Sequence, residues 1–181
     1  MVKIDRRIIK SREAIKKALI ELMAHQDFDH ITIQQIADQA NVNRATIYLH
    51  YLDKYDLLDK MMEEQIDELK KTSETACQLE WIGATEVFCE YFDTHYPFFS
   101  LMLANSGSPY FRKHFLRFLL EAFENELDMN QVQNQDMDPS IILEFTSSAY
   151  VGVIESWLKK ESRVHHSILA EQLGRLLERV M

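Results

Sequence analysis

Eight side chains between Thr32 and Lys54 make up the chain's clearest chemical group: Thr32, Asn43, Arg44, Ala45, Thr46, Tyr48, His50 and Lys54. Arg44 brings a guanidinium that can donate two parallel hydrogen bonds to a guanine edge, and Ala45 brings a methyl suited to thymine. The hydroxyls, the amide, the imidazole and the ammonium suit phosphate oxygens, which fix register without reading sequence. Arg44 and Ala45 are therefore the expected base contacts, and the other six the expected phosphate contacts.

Helix signals surround this group. Thr32 precedes Gln35 by three residues, the reciprocal capping pattern, with Ile31 and Ile36 at the spacing of a hydrophobic staple. Asn43 repeats the arrangement with Val42 and Ile47, and Asp53 repeats it with Leu52 and Leu57. Asn41 falls where the first helix must stop, in a left-handed turn that Asn tolerates. The pattern predicts a short helix over about 33–40, a tight turn and a very short helix over about 44–50. That is a helix-turn-helix whose second helix enters the major groove of DNA, with Ile36, Ala37, Val42 and Ile47 turned inward.

The run VNRATIYLHYLDKYDLL resembles the DNA-binding signature of the TetR family (TetR/AcrR type) of bacterial transcriptional regulators. Thr46, Tyr48, His50, Tyr51, Lys54 and Leu57 stand in the expected places, and the likeness spans about residues 8–60. Asn41 departs from the family's usual Gly. The second half is similar to a Gram-positive branch with an aromatic-rich C-terminal domain, through PFF at 97–99, Ser-Pro-x-Phe at 108–111 and Gly152 to Trp157. The resemblance implies a DNA-binding transcriptional regulator, a homodimeric repressor on a palindromic operator in double-stranded DNA. It also implies dimerisation through the last two helices as a four-helix bundle, and release by a small apolar or aromatic effector. That branch includes a co-activator working with a kinase-like protein partner, so a co-regulator acting through a partner is the alternative.

Composition agrees with an all-α chain of about nine helices. Of 181 residues, 46% are hydrophobic, and only 4 Gly and 3 Pro interrupt them. Taken alone the net charge of −9 argues against a polyanion, yet residues 1–17 hold seven Lys/Arg (Lys3, Arg6, Arg7, Lys10, Arg12, Lys16 and Lys17) against Asp5 and Glu13. Residues 57–181 hold 11 basic against 21 acidic. A basic end on an acidic body orients a protein on DNA. Cys77 and Cys89 form no disulfide framework or zinc pattern, and His165-His166 lacks partner ligands, so neither metal nor cofactor is expected. No Gly-rich phosphate loop, nucleophile elbow or paired carboxylates point to an enzyme. No leader or membrane-length apolar run occurs, which predicts a cytoplasmic protein with no membrane partner.

Two domains are expected: a three-helix helix-turn-helix domain over 1–53 and a helical effector-binding and dimerisation domain over 54–181. The first helix runs over about 5–26 on a stripe of Ile8, Ile15, Leu19, Leu22 and Met23. A long fourth helix, about 54–72, passes without a Pro/Gly/Ser linker into the second domain and is the natural lever between the two. Later helices are expected over about 80–95, 97–104, 109–127, 138–160 and 167 to the end, with a turn at 105–108 and a polar loop at 128–137. An apolar pocket among the middle helices would draw on Phe88, Tyr91, Phe92, His95, Phe115, Phe118 and Phe145, with Tyr91, His95, His114 or Ser147 as polar walls. The dimer seam is expected at the small ridge of Ser148, Gly152 and Ser156, with Trp157, Leu169, Leu173 and Leu176.

Overall fold

The structure, a computed structural model, describes residues 6–76, 78–104 and 109–181. The expected turn at 105–108, Asp5, Cys77 and the Ser108 cap lie outside the described residues. Every regular element among the described residues is helical: α1 (Arg6–Met23), α2 (Ile33–Gln39), α3 (Arg44–Tyr48), α4 (Lys54–Ala76), α5 (Trp81–Thr94), α6 (Tyr96–Phe99), α7 (Pro109–Glu124), α8 (Pro139–Lys159) and α9 (His166–Leu177). Single 3-10 turns sit at Phe28–His30 and Val132–Asn134.

Packing divides the chain into Met1–Gln65 and Ile66–Met181, so the parting falls inside α4. The first part of α4 belongs to the first unit because Leu57, Leu58, Met61 and Met62 are buried there along with Ile15, Leu19, Ile36 and Ile47. Arg12 and Lys16 of α1 also ion-pair with Glu64 of α4. Ile8, expected on the buried stripe, is 42% exposed, since it precedes the part of α1 that this small core can cover.

The second unit is built on aromatic packing. Phe92, Phe99, Phe111 and Phe115 are fully buried and meet mostly edge to face, as at Phe92–Phe99, where centroids lie 4.9 Å apart. The expected helix over 97–104 is instead the short α6 followed by a wider π turn at Ser100–Ala104. α5 packs most extensively on α9, and α7 on α8. Gly174 makes the first of these possible: a Cβ there would lie 2.5 Å from the Ile82 Cα.

The loop after α7 is more ordered than its polarity suggests. Asn134 is buried, and its Nδ2 donates to the Asp128 and Val180 carbonyls, each at 2.9 Å. The Asp128 N–H donates to the Met181 carbonyl at 3.1 Å. The chain's last residues are thereby tied to this loop.

Candidate nucleic-acid interface

Local chemistry builds the α2–turn–α3 element. The Thr32 Oγ1 accepts from the Gln35 N–H at 3.2 Å, while the Gln35 Oε1 accepts from the Thr32 N–H at 2.8 Å. Asn41 takes φ 52°, the left-handed region, and the Val42 N–H then donates to the Ala37 carbonyl at 3.0 Å. The Asn43 Oδ1 accepts from the Ala45 N–H at 2.9 Å and opens α3. Ile36, Ala37 and Ile47 are buried and Val42 half-buried, as the pattern requires.

What remains outside is the chemical group. Arg44, Ala45 and Tyr48 are exposed, Tyr48 at 50%, and Thr46 and His50 are half-exposed. The Arg44 guanidinium lies 6.0 Å from the Tyr48 ring centroid, and its Nη2 donates to the phenol oxygen at 3.4 Å. That contact is loose and lies along one helix face (i, i+4), so it arranges the two side chains without burying either. Thr32 and Asn43 are exposed at the two helix starts.

Lys54 is placed differently from the expectation. Its Nζ donates to the carbonyls of Phe28 at 2.9 Å, Asp29 at 2.7 Å and Ile31 at 3.0 Å, which engages all three ammonium protons. The same ammonium lies 4.9 Å from the Phe28 ring centroid and 5.2 Å from that of Tyr55. Lys54 thus pins the 3-10 turn before Thr32 to the start of α4. The sequence carried no signal for this, because the acceptors are backbone atoms of a distant turn.

The connection after α3 is clamped as well. The Asp53 Oδ1 accepts from the Tyr55 and Asp56 N–H groups, each at 2.8 Å. The Asp56 carboxylate accepts from the Leu52 N–H at 2.8 Å and from the Lys60 Nζ at 2.9 Å. The Lys60 hydrogen bond, then that of Leu52, holds the Asp56 carboxyl below its ordinary value. Leu52 forms no staple with buried Leu57. It is 80% exposed, with Leu49 at 78%, so two aliphatic side chains flank His50 on the surface.

The basic start of the chain is only partly available. Arg12 and Lys16 are taken by Glu64, Lys17 is exposed but lies 3.7 Å from the Glu21 carboxylate, and Lys10 is exposed.

Of the residues expected to line an effector pocket, Phe88, Phe118, Phe115 and Phe92 do meet, in a chain of ring contacts 5.6–6.3 Å between centroids, but largely as packed core. Phe92, Phe115 and Phe118 are buried core, and Ser147 is fully buried with its Oγ unpartnered among the described residues. Tyr91 stacks on His95 with ring centroids 4.2 Å apart, and burial, then the charge of Glu68, pushes its phenol up to about 12. Phe88 lines an open cleft with Trp81 and Phe123. Phe145 leaves the group altogether: it is 69% exposed on α8, at the edge of the face that buries Ile142 and Thr146.

The expected dimer residues also divide. Ser148, Gly152, Ser156 and Leu176 are exposed, and nothing lies within 4 Å of a Cβ built at Gly152. Trp157, Leu169 and Leu173 are buried within the chain itself. The Trp157 Nε1 donates to the Val164 carbonyl at 2.9 Å, and the Arg163 guanidinium covers its ring at 4.9 Å. His165 caps α9, and its ring lies 4.1 Å from that of His166. No group of three or more His, Cys, Asp or Glu among the described residues is placed to hold a metal, and none of their helices is long and apolar enough to cross a membrane.

Two family profiles match the sequence. One, for bacterial regulatory proteins of the tetR family, covers residues 15–61; the other, for a transcriptional regulator C-terminal region, covers 80–179. An uncharacterized HTH-type transcriptional regulator of Bacillus subtilis (strain 168), YxbF, is 42% identical over 67 residues, 36% of this chain and 18% of that relative's length. Among solved structures, a TetR transcriptional regulator from Streptococcus agalactiae superposes with TM-score 0.72 at 23% identity over 96% of each chain. The dihydroxyacetone kinase operon activator DhaS superposes with TM-score 0.67 at 18% identity, over 95% of this chain and 97% of its own. At these identities the two structures establish the fold.

Proposed function

The chain belongs to the tetR family of bacterial transcriptional regulators, and from that premise we propose that it acts as a homodimeric repressor of a palindromic operator. The observation that carries this reading is α3 itself: a capped helix of one turn whose Arg44, Ala45 and Tyr48 are exposed while Ile47 anchors it. Arg44 and Ala45 read base edges. Thr32, Asn43, Thr46, Tyr48 and His50 hold phosphates, and Lys54 acts from behind by holding the turn that leads into Thr32. Two such helices about one DNA turn apart would match the symmetry of a paired half-site.

The seam between subunits is the exposed side of α8 and α9. Ile141, Phe145, Val153, Ile168 and Leu176 are exposed there beside the small ridge of Ser148, Gly152 and Ser156. An effector bound in the second unit would act through α4, the one helix that both units share. By linkage, DNA and effector would then weaken each other's binding equally.

Fluorescence anisotropy on DNA from upstream of the protein's own gene tests the reading. Sequence-selective binding that falls steeply with salt, and is lost in Arg44→Ala and Tyr48→Ala, is expected. Binding without selectivity, unchanged in both variants, would shift the reading to a co-regulator working through a protein partner. The likeness to an operon activator is the reason to score the effect on transcription separately from DNA binding.

A further inference from the structure

We propose that the second unit carries a site for a small organic cation bearing one ring-sized apolar group. The site is the cleft between the last turns of α4 and α7 and the start of α5. Trp81, Phe88 and Phe123 form its apolar walls, with Trp81 set edge to face on Phe123 at 6.0 Å between centroids. Its volume of about 150 Å³ matches a cavity that admits a single benzene ring.

Two carboxylates, Glu80 and Glu126, line the same cleft, and no Lys, Arg or His does. Both residues are exposed, and neither side chain has a hydrogen-bond or ion-pair partner among the described residues. Glu80 is the N-cap of α5, yet its carboxylate accepts nothing from that helix. Aromatic walls and unpaired carboxylates at one apolar cleft select an ammonium with a hydrophobic body, because the carboxylates attract the charge while the walls bury the ring. An anionic ligand would meet repulsion from both carboxylates, and a neutral one would gain nothing from them.

Ser73 and Ala76 of α4 complete the wall. The ligand therefore touches the helix that continues into the DNA-binding unit. Its regulatory consequence rests on the effector reading above; its binding does not.

The test uses the whole chain without DNA and three soluble probes of one size: phenethylamine, protonated at neutral pH, 2-phenylethanol, and phenylacetate. Calorimetry and Trp81 fluorescence follow binding at low salt. Phenethylamine should bind roughly tenfold or more tightly than 2-phenylethanol, and phenylacetate should not bind. The double variant Glu80→Gln, Glu126→Gln should erase the preference for the cation and leave the alcohol unchanged. Trp81→Leu should weaken both. Equal binding of amine and alcohol, no saturation by about 10 mM amine, or an unchanged preference in the Gln variant overturns the proposal. Operator affinity with saturating phenethylamine is measured separately. Binding with unchanged operator affinity upholds the site and removes release by this route. No binding, with operator recognition intact, overturns the site and leaves the regulator standing.

Discussion

Removing Lys54 distinguishes a phosphate contact from a positioning contact. In Lys54→Ala the carbonyls of Asp29 and Ile31 lose the one donor the described residues give them, while the Phe28 carbonyl keeps the Ile31 N–H at 3.1 Å. A hydrogen bond to a charged group contributes about 1.5–3 kcal/mol. The site is only half-buried, so water recovers much of that for the freed carbonyls, and about 2 kcal/mol for the whole change is the reasonable magnitude. For a chain of this size that lowers the melting midpoint by roughly 4–8 °C. Loosening the turn before Thr32 also misplaces α2, so operator affinity should drop about tenfold.

The slope of log affinity against log salt decides between the readings. A lost phosphate contact would reduce it by about 0.9, whereas a lost positioning contact leaves it as it was. Lys54→Arg sharpens the comparison. A planar guanidinium cannot converge on three carbonyls, but it is a good phosphate ligand. Stability should therefore stay low in Lys54→Arg. The reasoning is refuted if Lys54→Ala melts like the wild type with a slope shallower by about one, and Lys54→Arg restores binding.

The glycines of the last two helices should respond in opposite ways. Gly174→Ala puts a Cβ 2.5 Å from the Ile82 Cα and 2.8 Å from its N, backbone atoms no rotamer change can move; urea unfolding should show a loss of about 2 kcal/mol despite better helix propensity. Gly152→Ala meets nothing within 4 Å in the protomer, so its fold should gain up to about 1 kcal/mol, while sedimentation should show a weaker dimer. Asn41→Gly should stabilise by about 0.5 kcal/mol in the same unfolding assay, because φ 52° suits Gly better than any residue with a Cβ. The Asp138 carboxyl is held below its ordinary value by hydrogen bonds from the Ser140 hydroxyl and then the Ser140 N–H. A depressed folded pKa stabilises above the unfolded value near 4 and is lost as pH falls through the folded one, so Asp138→Asn should flatten the acid side of a stability–pH profile.

What was legible in the sequence acts within about four residues along the chain. The caps at Thr32, Asn43, Asp53 and Asp138 and the left-handed Asn41 all join a side chain to backbone nearby, so residue type and spacing determine them. The exposed set on α3 followed from the same information, because a helix of one turn with Ile47 inward leaves only those positions outside. The illegible contacts join distant segments. Lys54 to the Phe28 turn, Arg12 and Lys16 to Glu64, and Gly174 against Ile82 depend on which helices meet, and helical periodicity specifies a face without naming its neighbour.

That distinction explains α8 and α9. Large and small apolar residues recur along both helices, and the sequence reading pooled Trp157, Leu169 and Leu173 with the small ridge as one seam. The protomer separates them, because α5 and α7 take α9 and α8 as partners and bury the large residues on those sides. Between α8 and α9 there remains a groove lined by Ala149, Val153, Leu173 and Leu176, with Phe145 standing at its edge. Phe145 also borders the neighbouring hollow beside Ile141 and Val180. An exposed ring flanked by apolar hollows suits the proposed two-fold dimer, which would present the same patch from both subunits. In the proposed dimer the residues at Ser148, Gly152 and Ser156 would then have a physical reason to be small: they would let the second pair of helices come close enough for the ring to reach a hollow. On the proposed dimer, Phe145 would accordingly serve as an anchor for the partner subunit in place of the pocket wall its sequence neighbours suggested.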